Sequence, residues 1–554
     1  MNDAHLEFLP WRAPSTLTLP ETNVFHNLAV SADRYPDKTV IVYYGAEISY
    51  RQLRADTEAL AGYLQQDLGI EKGDRVLLYM QNSPQFVVAY HAILRANAVV
   101  VPVNPMLMTA EIEHYVEDSG ARVAIVGQEL HERLAPLVSE EGLAHVITAA
   151  YSDYLQEAPE SDVPEVVTAL ARTPEGAIPW SDALGANRTP GPVTTGAEDL
   201  ACLPYTSGTT GRPKGCMHTH RNLQATLVSA GLWFSMTPET VALATLPMFH
   251  VTGMQHSMAA PIYYGGTMIL LTRWDRELAA TLVEQHGITH WTNISTMVVD
   301  FLGNPKIAEA DLSSFQAVGG GGAPLPAAVG EKLEALTGIR YAEGYGLTET
   351  ISQTHFNPPD RPKLQCLGIP SFDVDARIVN PETLEELGVG EEGEIVSSGP
   401  QIMRGYWNRP EADEETFFER DGRRFMRTGD IAMRDEEGYY FMVDRLKRMI
   451  NASGYKVWPA EVESMLYGHP AIQEACVIGI PDEQRGETAK AFVVLRDGED
   501  ATAEDIIEWA KGEMAAYKYP RHVEFIDELP KSGSGKILWR ELQEQEQKKM
   551  TEAG

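Results

Sequence analysis

Apolar and polar positions alternate along the chain in a pattern that predicts strands and helices in turn. Short apolar runs at Arg75–Met80 and Val99–Val103 are typical of buried strands. Helices are predicted at Pro84–Ala96 and Thr109–Ser119, and Thr109 is the predicted N-cap of the second. Because strands alternate with helices, we expect a parallel sheet covered by helices.

The alternation resumes after an irregular stretch. Residues 149–197 are rich in Pro, Gly, Ala and acidic residues, which predicts a surface excursion without regular structure. One more strand is predicted before this stretch, at Ala121–Val126. Further strands are predicted after it, at Val241–Leu246, Thr267–Leu271, Ile288–Thr292 and Ala317–Gly319.

The pattern changes near Asp444–Lys447, after which a shorter α+β unit is predicted. Its elements are a helix, two strands, a helix and a strand, at Pro459–Tyr467, Ile472–Ile480, Ala489–Leu495, Ala503–Met514 and Val523–Ile526. We therefore predict an α/β protein with a large N-terminal domain of parallel or mixed sheets (residues 1–444) and a small α+β C-terminal domain (residues 445–554).

Composition narrows the classes of function. The 554 residues carry a net charge of −34, which argues against nucleic acid or an anionic membrane surface as partner. The four cysteines fit neither a disulfide framework nor a metal spacing, so we expect buried, reduced thiols. The N-terminus lacks the cationic start and apolar core of a signal peptide, and Phe86–Val103 is too interrupted for a membrane span. We expect a cytoplasmic protein.

Residues Tyr205–Gly215 read Y-T-S-G-T-T-G-R-P-K-G, a loop of hydroxyl residues and glycines closed by Lys214. Such a loop can bring backbone N–H groups, hydroxyls and one positive charge to the phosphates of a nucleotide. It is not a Walker A motif, because Gly215 rather than Ser or Thr follows the lysine. A flexible linker is the alternative.

Two glycine-containing turns are candidates for the nucleoside. The run Gly319–Pro324 follows an apolar strand and could lie flat against a purine, although a mobile turn has the same composition. In Arg427–Asp430 the acidic residue could accept two ribose hydroxyls, or it could stabilise its own turn.

The segment Gly344–Glu349 (G-Y-G-L-T-E) combines three useful groups. Tyr345 can stack on a base, Thr348 can contact the α-phosphate, and the carboxylate of Glu349 suits Mg²⁺. An exposed turn with an ordinary surface glutamate is the alternative.

Four further residues are candidates for charge or proton chemistry. In Asp444–Arg448, Arg445 could reach ribose or phosphate, and Lys447 lies where a pivot between domains is predicted. Lys536 closes a Gly/Ser turn from which an ammonium could reach another domain. His250 follows a predicted parallel strand, where ligands gather. The alternatives are solvated charges and a packed histidine.

These segments, in this order, resemble the adenylate-forming superfamily of acyl-CoA synthetases, firefly luciferases and peptide-synthetase adenylation domains. The resemblance covers nearly the whole chain and is nearest to fatty-acyl-CoA ligases, as residues 444–463 (DRLKRMINASGYKVWPAEVE) and 517–536 (YKYPRHVEFIDELPKSGSGK) illustrate. One departure is Asn451, which stands where many relatives have a lysine.

The resemblance implies a two-step reaction that uses ATP, Mg²⁺ and CoA. A carboxylate attacks the α-phosphate of ATP, and pyrophosphate leaves. The CoA thiol then attacks the acyl carbon of the acyl-adenylate, and AMP leaves. Between the steps, a mobile C-terminal domain would rotate about a hinge near Lys447, withdrawing Lys536 from the α-phosphate and carboxylate.

The resemblance also implies site residues. The catalytic set is Lys536, His250, Glu349 and Thr209, of which Thr209 and Glu349 would hold Mg²⁺. ATP or AMP would contact Thr206, Ser207, Gly208, Thr209, Thr210, Gly211, Lys214, Gly322, Glu343, Gly344, Tyr345, Gly346, Thr348, Asp430 and Arg445. CoA would contact Lys447, Ser453 and Gly454. The acyl group would meet Val251, Met254, Asn293, Ile294, Met297 and Gly321.

The predicted acid is a medium- or long-chain fatty acid, because the candidate lining side chains Trp291, Ile294, Met297, Val298 and Met254 are apolar. Aryl, branched or sulfur-containing acids stay open, as do transfer to a carrier protein, a luciferase-type oxygenase and a non-catalytic sensor of acyl-adenylates or CoA. The expected partners are the acid, ATP and CoA, with no nucleic acid and no integral membrane segment. The oligomeric state stays open, a homodimer included.

Overall fold

The computed structural model describes residues 4–10, 14–155, 163–206, 212–322, 324–452, 455–482, 485–496, 498–531 and 537–553. The helices in these ranges are α1 (Phe25–Arg34), α2 (Tyr50–Gln66), α3 (Pro84–Arg95), α4 (Thr109–Ser119), α5 (His131–Leu134), α6 (Glu165–Thr168), α7 (Trp180–Gly185), α8 (His220–Trp233), α9 (Ala260–Tyr264), α10 (Arg276–His286), α11 (Ser295–Leu302), α12 (Ala327–Thr337), α13 (Pro410–Thr416), α14 (Pro459–Leu466), α15 (Ala503–Glu513) and α16 (Trp539–Ala553). Short 3-10 helices lie at Ala4–Phe8, Gln128–Leu130, Ala135–Leu137, Tyr151–Tyr154, Ile307–Glu309, Thr348–Thr350 and Leu446–Arg448, and a π-helix covers Gly253–Ala259.

The strands are β1 (Thr39–Tyr43), β2 (Ala46–Ser49), β3 (Arg75–Tyr79), β4 (Val99–Pro102), β5 (Val123–Gly127), β6 (His145–Ala149), β7 (Ile178–Pro179), β8 (Leu200–Cys202), β9 (Tyr205–Thr206), β10 (Lys214–Gly215), β11 (His218–Thr219), β12 (Val241–Ala244), β13 (Thr267–Leu270), β14 (His290–Asn293), β15 (Ala317–Gly321), β16 (Ala342–Leu347), β17 (Ser352–Phe356), β18 (Ile369–Pro370), β19 (Asp375–Val379), β20 (Gly393–Ser398), β21 (Phe417–Arg420), β22 (Arg423–Arg434), β23 (Tyr440–Arg445), β24 (Ile450–Ala452), β25 (Tyr455–Val457), β26 (Ile472–Asp482), β27 (Gly486–Leu495) and β28 (His522–Phe525).

The chain divides into two compact units. The first contains Met1–Asp375 and Ser397–Met426, and the second contains Ala376–Val396 and Arg427–Gly554. The boundary predicted between residues 444 and 445 is a hinge about which a small domain would rotate, and this hinge stays a prediction.

Two large sheets organise the first unit. One has nine strands in the order β18-β17-β16-β15-β14-β12-β13-β1-β2, and the other has seven in the order β11-β8-β4-β3-β5-β6-β7. Their central strands are parallel. Helix α3 is buried along nearly its whole length, and the core cluster around its Phe86 and Tyr90 contains Val76 of one sheet and Leu270 of the other. The predicted α/β class is confirmed.

A five-stranded sheet forms the centre of the second unit's C-terminal part. Its order is β25-β24-β27-β26, with β28 parallel to β27. Alternate residues of β26 enter two clusters: Val477 packs with α14 and α15 side chains, and Cys476 packs with Leu542 of α16. Because most strand pairs of this sheet are antiparallel and helices pack on it, the predicted small α+β architecture is confirmed.

Two local predictions were wrong. Thr109 is the first residue of α4 rather than its cap, because its hydroxyl donates to the carbonyl of Arg133 while the Glu111 carboxylate accepts the N–H of Met108. The stretch 149–197 is not wholly irregular, because β7 extends the seven-stranded sheet and Trp180 is buried at 3% exposure.

All four cysteines are buried and free, as predicted. Within the described ranges, none of the helices combines the length and the apolar character needed to cross a bilayer.

Candidate active site

The two ends of the predicted phosphate loop are paired as a hairpin stem. Thr206 in β9 lies opposite Lys214 in β10, and Tyr205 lies opposite Gly215. The stem fixes the lysine beside the first hydroxyl of the loop. The five loop residues between them that were predicted to bind ATP lie outside the described residues: Ser207, Gly208, Thr209, Thr210 and Gly211.

The stem is held from α4 by side chains that the sequence did not single out. The Tyr205 hydroxyl donates to Asp118 at 2.8 Å, and Arg409 pairs with the other oxygen of the same carboxylate at 2.7 Å. The His114 ring donates to the carbonyl of Pro213 at 2.8 Å. Both strands of the stem are therefore anchored to one helix.

Glu349, the predicted metal ligand, lies half-buried in the 3-10 helix Thr348–Thr350. The Tyr406 hydroxyl donates to its Oε1 at 2.9 Å, and the ring of Tyr406 lies under Lys214, whose Nζ is 4.1 Å from the ring centroid. In the described part of the chain, the second oxygen Oε2 has no hydrogen-bond partner.

The chemistry of Glu349 and its surroundings is suited to Mg²⁺. The described ranges contain no group of three or more His, Cys, Asp or Glu side chains that could hold a metal ion by themselves. Protein-bound Mg²⁺ commonly takes one or two carboxylates and completes its shell with water and substrate phosphates. A single half-buried carboxylate beside the stem of the predicted phosphate loop matches that preference.

The peptide that carries Thr348 is fixed by a buried histidine. The Nε2 of His218 in β11 donates to the Thr348 carbonyl at 2.7 Å. Burial lowers the pKa of His218 to about 4, so the ring is neutral at physiological pH. The sequence offers no signal for this contact, because the two residues are far apart in the chain.

The glycine run ends a strand. The strand predicted to stop at Gly319 continues to Gly321, and a Cβ at Gly320 would lie 1.8 Å from the carbonyl oxygen of Asn293. The close approach of strands therefore explains this glycine without a purine. The register sets Gly320 beside Asn293 and Gly321 beside Gly344, with Gly322 following. These predicted acyl and nucleotide positions lie together at the carboxyl edge of the parallel strands, where α/β sheets bind ligands.

Glu343 is buried at 5% exposure, and its carboxyl faces the protein backbone. Its Oε1 accepts the N–H of Gln365 at 2.9 Å and that of Leu325 at 3.3 Å. Burial raises the pKa of Glu343 to about 7, against a smaller opposing effect of these N–H donors. By accepting these two N–H groups, the Glu343 carboxyl holds the backbone at Leu325 and Gln365 in place. Its predicted contact with the nucleotide stays a prediction.

We expect the Glu343→Gln variant to lose a pH dependence of stability. Because the pKa is about 7 in the folded state and near 4.5 ordinarily, the buried carboxyl stabilises the fold fully below pH 4.5, and this contribution is lost as the pH rises through 7. Each pH unit in that window changes the free energy of unfolding by up to about 1.4 kcal/mol. In thermal unfolding between pH 5 and 8, the midpoint of the variant should rise relative to wild type.

The control for this experiment is Glu334→Gln. Glu334 lies on α12 with its side chain 47% exposed, paired only with Arg340 on the surface among the described residues. Its unfolding midpoint should follow wild type at every pH. A Glu343→Gln difference that stays constant from pH 5 to 8 would contradict the raised pKa.

Tyr345, predicted to stack on adenine, is half-buried in β16 and meets His355 of β17 edge-on, with ring centroids 5.7 Å apart. Burial lowers the pKa of His355 to about 3, so this neighbour is neutral. At Gly346 a Cβ would lie 1.4 Å from the carbonyl oxygen of Ser352, so only glycine lets β16 and β17 pair here.

His250 lies beyond the carboxyl end of β12 and is half-buried. Its Nδ1 lies 3.4 Å from the N–H of Thr252, just before the π-helix Gly253–Ala259. Irregular helices of this kind are frequent at functional sites. Val251 and Met254 are buried, and the Met254 sulfur lies 3.9 Å from the thiol of Cys202. Of these three predicted positions, His250 is the accessible one.

The other predicted acyl residues divide by burial. Ile294 and Met297, at the start of α11, are half-buried and can face a ligand. Trp291 and Val298 instead belong to the core, where the Trp291 ring stacks on Trp274 with centroids 5.6 Å apart. Trp291 and Val298 therefore pack in the core, and their predicted contact with the acyl group stays a prediction.

In the second unit, Asp430 and Arg445 lie opposite each other in β22 and β23. Arg445 Nε is 3.1 Å from Asp430 Oδ1, and the Asp430 side chain is fully buried. Glu394 holds the preceding turn, because it accepts the N–H of Gly429 at 2.9 Å and pairs with Arg427 at 2.6 Å. The structure thus brings together the two predicted nucleotide contacts of this unit.

Lys447, the predicted hinge, lies in the 3-10 helix Leu446–Arg448 of the same unit. The adjacent Arg448 pairs with Asp444 at 3.7 Å and with Glu463 of α14. The chain around Lys447 is thereby tied to α14. Lys536, Ser453 and Gly454 lie outside the described residues.

Comparison with known proteins gives matches over almost the whole chain. A family model described as AMP-binding enzyme matches residues 28–407, and one described as AMP-binding enzyme C-terminal domain matches residues 461–536. The chain is 37% identical over 554 residues to a long-chain-fatty-acid–CoA ligase of Bacillus subtilis (strain 168), which covers 97% of this chain and 98% of that protein.

Two solved structures are similar throughout. ATP-bound MatB from Rhodopseudomonas palustris aligns with a TM-score of 0.83 at 29% identity, covering 95% of this chain and 99% of that one. The anthranilate CoA ligase AuaEII in complex with anthranoyl-AMP aligns with a TM-score of 0.82 at 27% identity, covering 97% and 99%.

Proposed function

The chain belongs to the AMP-binding enzyme family, in the adenylate-forming superfamily, and is an ATP-dependent acyl-CoA ligase; we propose that its acid substrate is a medium- or long-chain fatty acid. The observation that carries the proposed site is the position of Tyr406 between Lys214 and Glu349. Through Tyr406, the Lys214 ammonium, which can bind phosphate, and the Glu349 carboxylate, which can bind a metal, are both held at the stem of the phosphate loop.

In the first step, a carboxylate oxygen of the acid attacks the α-phosphorus of ATP, and pyrophosphate leaves. Lys214 and the loop donors orient the phosphates, while Thr348 and Lys536 meet the α-phosphate as charge moves toward the leaving group. In-line phosphoryl chemistry depends mainly on such positioning and charge stabilisation. Mg²⁺ held by Glu349 and Thr209 would neutralise charge on the triphosphate.

In the second step, the CoA thiol attacks the acyl carbon and AMP leaves. We assign Asp430 and Arg445 to the ribose and phosphate of the nucleotide. His250 lies beside the acyl-adenylate in this assignment. Rotation of the small domain about Lys447 would exchange Lys536 for Ser453 and Gly454, which meet the arm of CoA. Such a domain motion lets one cleft serve two reactions.

The fatty-acid assignment is supported by the similarity to a long-chain-fatty-acid–CoA ligase and by the apolar, half-buried Ile294 and Met297. An aryl acid is the second candidate, because a ligase of an aryl acid aligns over 97% of this chain. An apolar pocket separates acids differing by one methylene only by about 1–3 kcal/mol, so a broad profile is expected.

A panel of acids decides between them. Saturated acids of rising chain length, anthranilate and benzoate are each supplied with ATP and Mg²⁺, and thioester formation is measured after CoA is added. We expect kcat/KM to peak among the medium or long fatty acids. A peak at the aryl acids would replace the fatty-acid assignment, and adenylate without any CoA thioester would favour transfer to another acceptor.

A further inference from the structure

The segment Met403–Trp407, here called the 403–407 segment, pairs with the chain that leaves the phosphate loop. The N–H of Trp407 donates to the carbonyl of Gly215 at 2.8 Å, and the carbonyl of Gly405 accepts the N–H of Met217 at 2.9 Å. These bonds fix the backbone on both sides of Tyr406 against the loop stem.

The same segment is also bonded to Glu349. The N–H of Met403 donates to the Glu349 carbonyl at 2.9 Å, so backbone and side chain of the glutamate are both held from this segment. Tyr406 is 6% exposed, and it meets Glu349 through its hydroxyl and Lys214 through its ring.

The chemistry of a tyrosine suits this double contact. The Tyr406 hydroxyl is the donor of this pair, because an ionised carboxylate can only accept a hydrogen bond. The face of the ring attracts an ammonium without carrying a charge. Among the described residues, neither Lys214 nor Glu349 has an ion-pair partner, and both contact the same neutral tyrosine.

We propose that Tyr406 is a positioning residue of the adenylation step, which holds the Glu349 carboxylate by its hydroxyl and the Lys214 ammonium by its ring. By holding both, it prevents an ion pair that would neutralise the two charges the nucleotide needs. The inference rests on the proposed function, because it assigns these charges to the metal and the phosphates of ATP. Tyr406 lies 57 residues from Glu349 in the chain, and no motif around it indicates the contact.

Metal binding without turnover tests the hydroxyl. Mn²⁺ replaces Mg²⁺, α,β-methylene-ATP replaces ATP, and free Mn²⁺ is followed by electron paramagnetic resonance. Tyr406→Phe keeps the ring and should weaken Mn²⁺ binding on the order of tenfold, with nucleotide affinity changed less than about threefold, because one hydrogen bond to a charged group is lost. Tyr406→Leu also removes the ring and should weaken the nucleotide about tenfold as well.

A double-mutant cycle tests whether the effect passes through Glu349. In the Glu349→Gln background, Tyr406→Phe should change Mn²⁺ affinity no further. The matched control is Tyr154→Phe, which removes a hydroxyl that donates to Asp56 at 2.7 Å away from the site. Thermal unfolding of each variant shows whether it is folded.

The proposal is overturned if Tyr406→Phe binds Mn²⁺ with the same affinity as wild type and Tyr154→Phe, or more tightly than they do. It is also overturned if the effect of Tyr406→Phe on Mn²⁺ affinity persists in the Glu349→Gln background. Pyrophosphate exchange of the wild type is measured on the same preparation. Its absence would contradict the proposed function, whereas unchanged Mn²⁺ affinity in the variant would contradict the role of Tyr406 alone.

Discussion

Replacing Lys536 by alanine is expected to slow formation of the acyl-adenylate by about 10³-fold, while thioester formation from preformed acyl-adenylate and CoA stays within about threefold of wild type. The ammonium is assigned to the charge that builds up at the α-phosphate in the first step, and removing one such preorganised donor costs about 10²–10³ in rate. Because the Lys536 ammonium carries a full positive charge, we expect a loss of rate at the upper end of this range. Because the proposed domain rotation withdraws this lysine before the second step, we expect that step to be spared.

The two half-reactions are measured separately for this variant. Acid-dependent exchange of labelled pyrophosphate into ATP, without CoA, reports the first, and release of AMP from synthetic decanoyl-adenylate on addition of CoA reports the second. Lys531→Ala is the matched control, because Lys531 lies close to Lys536 in the sequence but pairs with Glu474 at 2.7 Å. Equal loss of both half-reactions, or an equal loss in Lys531→Ala, would contradict the role assigned to Lys536.

Replacing Glu349 by glutamine is expected to lower the rate of adenylate formation by about 10²–10³-fold. Glutamine keeps the size of the side chain and an oxygen that can accept the Tyr406 hydroxyl, so the fold should be unaffected. The negative charge suited to a metal–nucleotide complex is what disappears. Thermal unfolding and the exchange assay without CoA, at several Mg²⁺ concentrations, measure the two effects.

Glu129→Gln is the control for this variant. Glu129 also accepts a tyrosine hydroxyl, that of Tyr151 at 2.8 Å, but it lies outside the proposed site. It should retain the exchange activity of wild type. If Glu349→Gln keeps more than half of that activity at low Mg²⁺, the assignment of Glu349 to the metal is wrong.

Local pattern was enough to predict the large elements of the fold. The observed bounds of strands such as β3 and β4 and of helices such as α3 agree with the predicted bounds within a residue or two. Their apolar side chains are contiguous in the sequence, so the local pattern alone indicates that they are buried. The predictions that failed depended on distant partners. Thr109 does not cap α4, because its hydroxyl donates to the carbonyl of Arg133. Strand β15 is longer than predicted, because its Gly320 lies close to the backbone of Asn293 on β14.

The candidate site shows the same limit. Its candidate residues Lys214, Glu349 and Asp430 were selected because each lies in a distinctive local sequence. The side chains that position Glu349 and the loop stem could not be predicted, because Tyr406 is 57 residues from Glu349 and Asp118 is 87 residues from Tyr205 in the chain. Trp291, apolar and close to a predicted ligand edge, packs in the core, which only the tertiary structure decides.

The central claim is that the chain activates a carboxylic acid as its adenylate before any thiol takes part. Exchange of labelled pyrophosphate into ATP by the wild-type protein, with Mg²⁺ and a fatty acid but without CoA, tests it most directly. We predict exchange that requires the acid and does not require CoA. Exchange that is absent with every acid of the panel, or that appears only when CoA is present, would contradict the claim.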